Sequence, residues 1–259
     1  MRKSGFTLAE ILITMSIIGV VAALTAPALI HDASNARTGP TIEKTRASIE
    51  LANQNILFRN RATDLLAVNV NGAAINDAGY LQLLAQNFQN STFIPAAAPG
   101  DDDPIGAFSF TGRNGNNTGT RDWQGNTSDD NNTTPKLILS DNVTLSVNAD
   151  NPPYINFNVG GGNGDLGQRG SYRGPLADLL IDLNGVKVGP NIYGRDIFFF
   201  TVDRSGVVIP DGSALFNDYM TWNDNEFDDA NYVCQRENVV TGRGCAGAIL
   251  DNNRRVDYR

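Results

Sequence analysis

Residues 6–30 read FTLAEILITMSIIGVVAALTAPALI, an apolar run broken by a single charge, Glu10. As a helix, roughly 25 residues span about 37 Å. A bilayer core is about 30 Å thick, so the run can cross it with some tilt. Arg2 and Lys3 precede it, and the positive-inside rule places that end in the cytoplasm. Everything beyond His31 then lies on the outer side of the membrane. A secretory signal peptide is the alternative, and it accounts for the basic start and for the small residues Ala23, Ala26 and Ala28. Two features argue against it. The run exceeds the ~7–15 apolar residues of a signal sequence, and a carboxylate inside lipid is expensive, so it marks a functional position.

The residues Gly5-Phe6-Thr7-Leu8-Ala9-Glu10 resemble the cleavage and methylation motif of type IV prepilins and type II secretion pseudopilins. The resemblance covers roughly the first 30 residues. It implies that a prepilin peptidase cuts after Gly5 and methylates the new N-terminal Phe6, and that Glu10, fifth in the mature chain, stays in the membrane for assembly. Gly19 and Pro27 fall where the family commonly has a glycine and a helix-kinking proline. The resemblance also implies that Glu10 of one subunit meets the Phe6 amine of a neighbour. Two charges taken out of water then satisfy each other, and subunit register follows. Pro27 either kinks the helix or ends the span at the membrane surface.

The rest of the composition excludes several chemistries. The chain has 259 residues, a net charge of −8, two cysteines (Cys234 and Cys245) and one histidine, His31. An acidic chain without a Lys/Arg cluster is a poor nucleic-acid binder, and no nucleic acid is expected as a partner. The Cys and His are too few for a zinc site. A Ser-His-Asp or Cys-His site needs a histidine within a folded domain, and His31 sits at the edge of the apolar run. No carboxylate pair has a convincing glycosidase spacing, so the chain is read as non-enzymatic.

Residues 31–40, HDASNARTGP, are polar and end in Gly39-Pro40, which predicts a linker or helix break. Residues 41–59 have Ile42, Ile49, Ala52 and Ile56 on one helical stripe, with Pro40 suited to the first turn. Asp77 is the expected cap of a second helix reaching Phe88, with Tyr80, Leu81 and Leu84 on its inner side. Residues 96–134, rich in Gly, Asn, Asp and Thr around Trp123, predict a long surface loop.

Strands follow. Residues 137–140 and 143–147 flank Asp141-Asn142 as a hairpin, and 154–159 alternate. The run 160–164, GGGNG, lacks the Gly-Lys-Ser/Thr of a phosphate loop and reads as a turn. Residues 179–183, 197–202 and 207–209 read as central strands, since Phe198-Phe199-Phe200 is too apolar for an edge. An α+β class follows: an N-terminal transmembrane helix leading into a pilin-like domain with an antiparallel sheet packed on a helix.

Two further sites are expectations. A second, looser likeness to prepilin-like proteins lies in DLNGVKVGPNIYGRDIFFF, which starts at Asp182. Asp182, Asn184 and Asp196 there are candidate calcium ligands, as some major pseudopilins bind calcium in a C-terminal loop. The spacing does not fit an EF-hand, and a turn at Asn184-Gly185 is the competing reading. The acidic group Asp218, Asp224, Glu226, Asp228 and Asp229 is a second oxygen-rich stretch, with a solvated loop as its plainer meaning. Cys234 and Cys245 lie on the expected outer side, where disulfides persist. Pilin-like proteins often pin a C-terminal loop with such a bridge, and two free thiols are the alternative.

The organisation expected is therefore a leader at 1–5, a transmembrane and assembly helix at 6–30, a linker at 31–40 and an extracytoplasmic domain at 41–259. The expected role is a structural subunit of a type IV pilus or type II secretion pseudopilus in the bacterial inner membrane. Its partners would be the peptidase, other pilin or pseudopilin subunits, the assembly platform and the bilayer. A membrane-tethered binding protein or adhesin is the alternative.

Overall fold

The computed structural model describes residues 7–95, 110–111, 135–147, 175–185, 191–192, 194–216, 234 and 244–251. The expected alternating strand at 154–159, the GGGNG turn, Trp123 and the acidic group from Asp218 to Asp229 lie outside the described residues, as do Gly5 and Phe6. The chain divides into two compact units, Met1–Arg37 and Thr38–Arg259.

One helix, α1 (Leu8–Arg59), runs through both the apolar segment and the stripe beyond it. The expected linker at 31–40 is therefore helical, and the helix continues past Pro27. The break signal at Gly39-Pro40 was a local propensity. Proline inside a helix removes one backbone bond and costs about 3 kcal/mol. A strongly apolar run on one side and a packed stripe on the other outweigh that, because most helix stability comes from context.

In the second unit the inner stripe of α1 is Ile42, Thr45, Ile49, Ala52, Asn53 and Ile56, all buried. The i, i+3, i+4, i+7 spacing puts them on one face. Arg46 borders that face, held by Glu43 and Glu50 at 3.0 Å each, and donates to the Val208 carbonyl at 3.4 Å. After α1 comes a 3-10 turn, Leu65–Ala67, capped by the Asp64 side chain. A small antiparallel pair follows, β1 (Asn69–Val70) with β2 (Ala73–Ala74).

Helix α2 (Asp77–Ala85) is capped by Asn76, whose side chain accepts from the Gly79 amide at 2.8 Å. The cap thus falls one residue before the expected Asp77, and the helix stops short of Phe88. Asn and Asp are near-equal caps, so sequence alone did not separate neighbours. The inner face, Tyr80, Leu81 and Leu84, is buried as expected.

The main sheet contains β3 (Thr92–Ile94), β5 (Lys136–Ile138), β6 (Thr144–Val147), β7 (Pro175–Asp182), β9 (Ile197–Asp203) and β10 (Val208–Pro210). Its order is β10-β9-β7-β6-β5-β3, with every neighbouring pair antiparallel. A parallel pair, β4 (Phe110–Thr111) with β8 (Asn191–Ile192), stands apart. Part of the expected 96–134 loop is therefore a strand.

The hairpin around Asp141-Asn142 forms as expected. Leu137 pairs with Leu145, and Asn142 takes a left-handed φ of 66°, a conformation asparagine tolerates better than most residues. Strands β7 and β9 are interior, with Leu179 opposite Phe200 and Ile181 opposite Phe198. All seven β9 residues are buried, as the Phe198-Phe199-Phe200 run predicts for a strand covered on both faces. Strand β10 was expected to be central and is instead an edge. Its three residues are buried, so composition could not reveal that one side lacks a neighbour among the described strands, though Pro210 suits an edge.

Ile42, Ile49, Ile56 and Leu57 of α1 share one core with Leu81 and Leu84 of α2 and with Leu145, Leu179, Ile181, Phe198 and Phe200 of the sheet. A last helix, α3 (Cys245–Asp251), joins the same core through Cys245, Ala246 and Ile249.

Candidate functional site

Residues Leu8–Ala26 of α1 are long and apolar enough to cross a membrane, and none of that stretch is buried. Its polar side chains are satisfied within the helix. Thr14 donates to the Ile11 carbonyl at 3.0 Å, Ser16 to Leu12 at 2.8 Å and Thr25 to Val21 at 2.9 Å. Groups bonded in this way need no water, which is the condition for lipid contact. Gly19 has no neighbour within 4 Å of where a Cβ would stand.

Glu10 is in the first turn of α1. Its Oε2 accepts from the Thr7 amide at 2.7 Å and from the Thr7 hydroxyl at 2.9 Å. The Thr7 hydroxyl in turn accepts from the Glu10 amide at 3.3 Å. This is a capping box: a Thr and a Glu three residues apart satisfy helix-end donors reciprocally. Sequence reasoning missed it, although Thr-x-x-Glu before an apolar run is its signature.

A family model described as the prokaryotic N-terminal methylation motif matches residues 1–26. The chain carries the prepilin and pseudopilin signature. No curated protein and no solved structure matches the chain. Gly5, Phe6, Glu10 and Gly19 all fall within the matched residues. Families with this signature are structural rather than enzymatic. Among the described residues no group of three or more His, Cys, Asp or Glu gathers as a metal holder.

The remaining predicted residues lie in the second unit. Cys234 and Cys245 form a disulfide across 11 residues, tying the chain before α3 to its first residue. Asp182 ends β7 and is buried. Its Oδ1 accepts from the amides of Asn184 at 3.1 Å and Gly185 at 3.0 Å, which is an Asx turn. Gly185 holds φ +86°, and a Cβ there would lie 2.7 Å from the Asn142 carbonyl, so only glycine fits. The turn reading of Asn184-Gly185 is thus realised. Asp196 lies across the pairing, its carbonyl accepting from Leu183 at 2.8 Å, with Arg195 Nε 3.9 Å from its carboxylate. Burial is the main reason the Asp182 carboxyl is pushed up to about 6, with the nearby Asp196 charge adding to it.

One polar network positions α1 in this unit, and a second contact fastens the 3-10 turn that follows it. Asn53, fully buried, donates to the Gly206 carbonyl at 3.0 Å and accepts from the Tyr80 hydroxyl at 2.8 Å. Arg204 makes a two-pronged contact with Asp64 through Nε and Nη2, the planar geometry guanidinium favours.

Proposed function

We propose that the chain is a structural subunit of a type IV pilus or type II secretion pseudopilus. The observation that carries this reading is the prepilin motif heading an apolar helix with one acid at the fifth mature position. In this reading a prepilin peptidase hydrolyses the Gly5–Phe6 bond on the cytoplasmic side of the inner membrane and methylates the Phe6 amine. The outer domain faces away from the cytoplasm.

The subunit waits in the bilayer with its polar groups bonded internally. On reaching the assembly platform it moves from lipid into the core of a growing filament, and the same apolar surface meets neighbouring helices. The open space at Gly19 lets two helix backbones approach closely, as small residues do between membrane helices. Glu10 meets the Phe6 amine of the next subunit and sets the register.

A second reading is favoured by the capping box. Bonds from Thr7 give Glu10 a role inside its own helix, which is all that a tethered binding protein or adhesin needs.

Intact-mass and N-terminal peptide analysis of protein from its native host tests the processing on which assembly depends. A mature chain starting at methylated Phe6 is expected. A start near residue 27 or 29 would mean an ordinary signal peptide and overturn the proposal.

A further inference from the structure

Among the described residues, two asparagines stand directly before a glycine, Asn71-Gly72 and Asn184-Gly185. Such a pair is reactive because the glycine nitrogen can close a five-membered ring on the side-chain amide carbon, with no side chain of its own in the way. Both glycines hold a positive φ, 83° at Gly72 and 86° at Gly185, but their surroundings differ. Asn71 and Gly72 are exposed, and a Cβ at Gly72 would meet nothing within 4 Å. Asn71 also has a positive φ, 53°, as the two-residue hairpin turn between β1 and β2 requires. Those strands have two residues each. So short a hairpin is marginal, so its tip opens readily, and among the described residues the Gly72 amide has no hydrogen-bond partner. The second pair is protected. Gly185 is buried, its amide donates to Asp182 Oδ1 at 3.0 Å, and the Asn142 carbonyl closes the space beside it.

We propose that Asn71 is a site of spontaneous deamidation, which marks the β1–β2 turn with an added negative charge, and that Asn184 is shielded from the same reaction by its fold. A base in solvent takes the Gly72 amide proton, and the nitrogen attacks Asn71 Cγ. The new N–Cγ bond closes a succinimide. The bond from Cγ to the side-chain nitrogen breaks, and that nitrogen leaves as ammonia with a proton from water. Water then opens the ring. Addition at Cγ breaks the new bond and gives aspartate. Addition at the backbone carbonyl breaks the Asn71–Gly72 bond and gives isoaspartate, whose main chain runs through the former side chain. One water enters, one ammonia leaves, and no oxidant is needed. Isoaspartate adds a methylene to the main chain, so the register Val70 with Ala73 is lost at the turn, whereas the core residue Ile75 beyond it stays buried. This site stands on its own residues and does not depend on the assembly reading.

The test incubates the full-length chain in detergent in mildly alkaline buffer and maps its peptides by mass spectrometry over time. The peptide with Asn71 should gain the mass change of amide to acid and split into aspartate and isoaspartate forms. The peptide with Asn184 should convert roughly tenfold more slowly or less, since reaction there waits on local opening. In denaturant the two should convert at similar rates. Asn71→Gly keeps a turn suited to positive φ and removes the amide, so the acidic form that arises at Asn71 should vanish from native charge separation. An Asn71 that converts only in denaturant would overturn the proposal, as would equal rates at Asn71 and Asn184 in the folded chain.

Discussion

Replacing Asn53 tests how the part of α1 within the second unit is fastened there. Asn53 joins α1 to α2 and to the β9–β10 turn, through Tyr80 and the Gly206 carbonyl. All of Asn53 and nearly all of Tyr80 are buried, and burial holds the Tyr80 phenol well above its ordinary pKa. It therefore stays a neutral hydroxyl that must find an acceptor. Asn53→Ala removes both partners at once and strands the Tyr80 hydroxyl and the Gly206 carbonyl. A buried polar group left unsatisfied costs about 1–3 kcal/mol, so the two together predict a loss of about 2–6 kcal/mol. For a chain of this size each kcal/mol shifts the midpoint by about 2–4 °C, which gives a drop of roughly 4–24 °C.

Tyr80→Phe alone should lose about 1–3 kcal/mol, because it strands only the Asn53 oxygen. The double variant strands only the Gly206 carbonyl. It should therefore melt higher than Asn53→Ala alone, a non-additivity expected of groups in one network. Thermal unfolding of the full-length chain in detergent, followed by circular dichroism, provides the comparison. An Asn53→Ala midpoint within 2 °C of wild type would refute the reasoning, and so would a double variant that melts at the sum of the two single losses.

Two further outcomes follow from the residues nearest the ends of the chain. Glu10→Gln keeps an acceptor for Thr7 and loses the charge, whereas Glu10→Ala loses both. Both are expected to insert, fold and incorporate poorly into filaments, measured by shearing or crosslinking, while Gln at wild-type levels would make Glu10 a helix cap alone. Breaking the Cys234–Cys245 bridge should cost about 3 kcal/mol by the chain-entropy estimate, a midpoint drop of about 6–12 °C. Non-reducing and reducing melts give that value, and equal midpoints would show that the bridge does not constrain the fold.

Periodic apolar residues were the legible part of this fold. Ile42, Ile49, Ala52 and Ile56 were placed on the inner face of a helix and are there, because burial imposes its period on the sequence. The hairpin at Asp141-Asn142 and the buried Phe198-Phe200 strand were legible for the same reason. Gly39-Pro40 misled because a break signal is local, while helix continuity is decided by what lies on either side. The edge position of β10 was hidden because strand order is a long-range property that a buried segment does not record. In the candidate site, Gly5, Phe6 and Glu10 were readable as a motif. The Thr7 contact was readable only through helix capping, and that spacing was spent on the motif instead.

The capping box bears directly on how an assembly acid can exist in a lone subunit. A carboxylate has about four acceptor positions on two oxygens. Both bonds from Thr7 fall on Oε2 of Glu10, and Oε1 has no hydrogen-bond partner among the described residues. Thr7 can therefore fix the side chain along the helix start while Oε1 remains open to a cation. A rigid, half-satisfied acid is a better register mark than a free one, since less side-chain freedom is lost when the partner arrives. The Phe6 amine of the same chain is only four residues from Glu10, but only an amine from a neighbour would specify subunit register. In the proposed assembly the local cap and the intersubunit pair would use different oxygens of one carboxylate, and Glu10→Gln separates them, because the amide retains the first and removes the charge that the second would require.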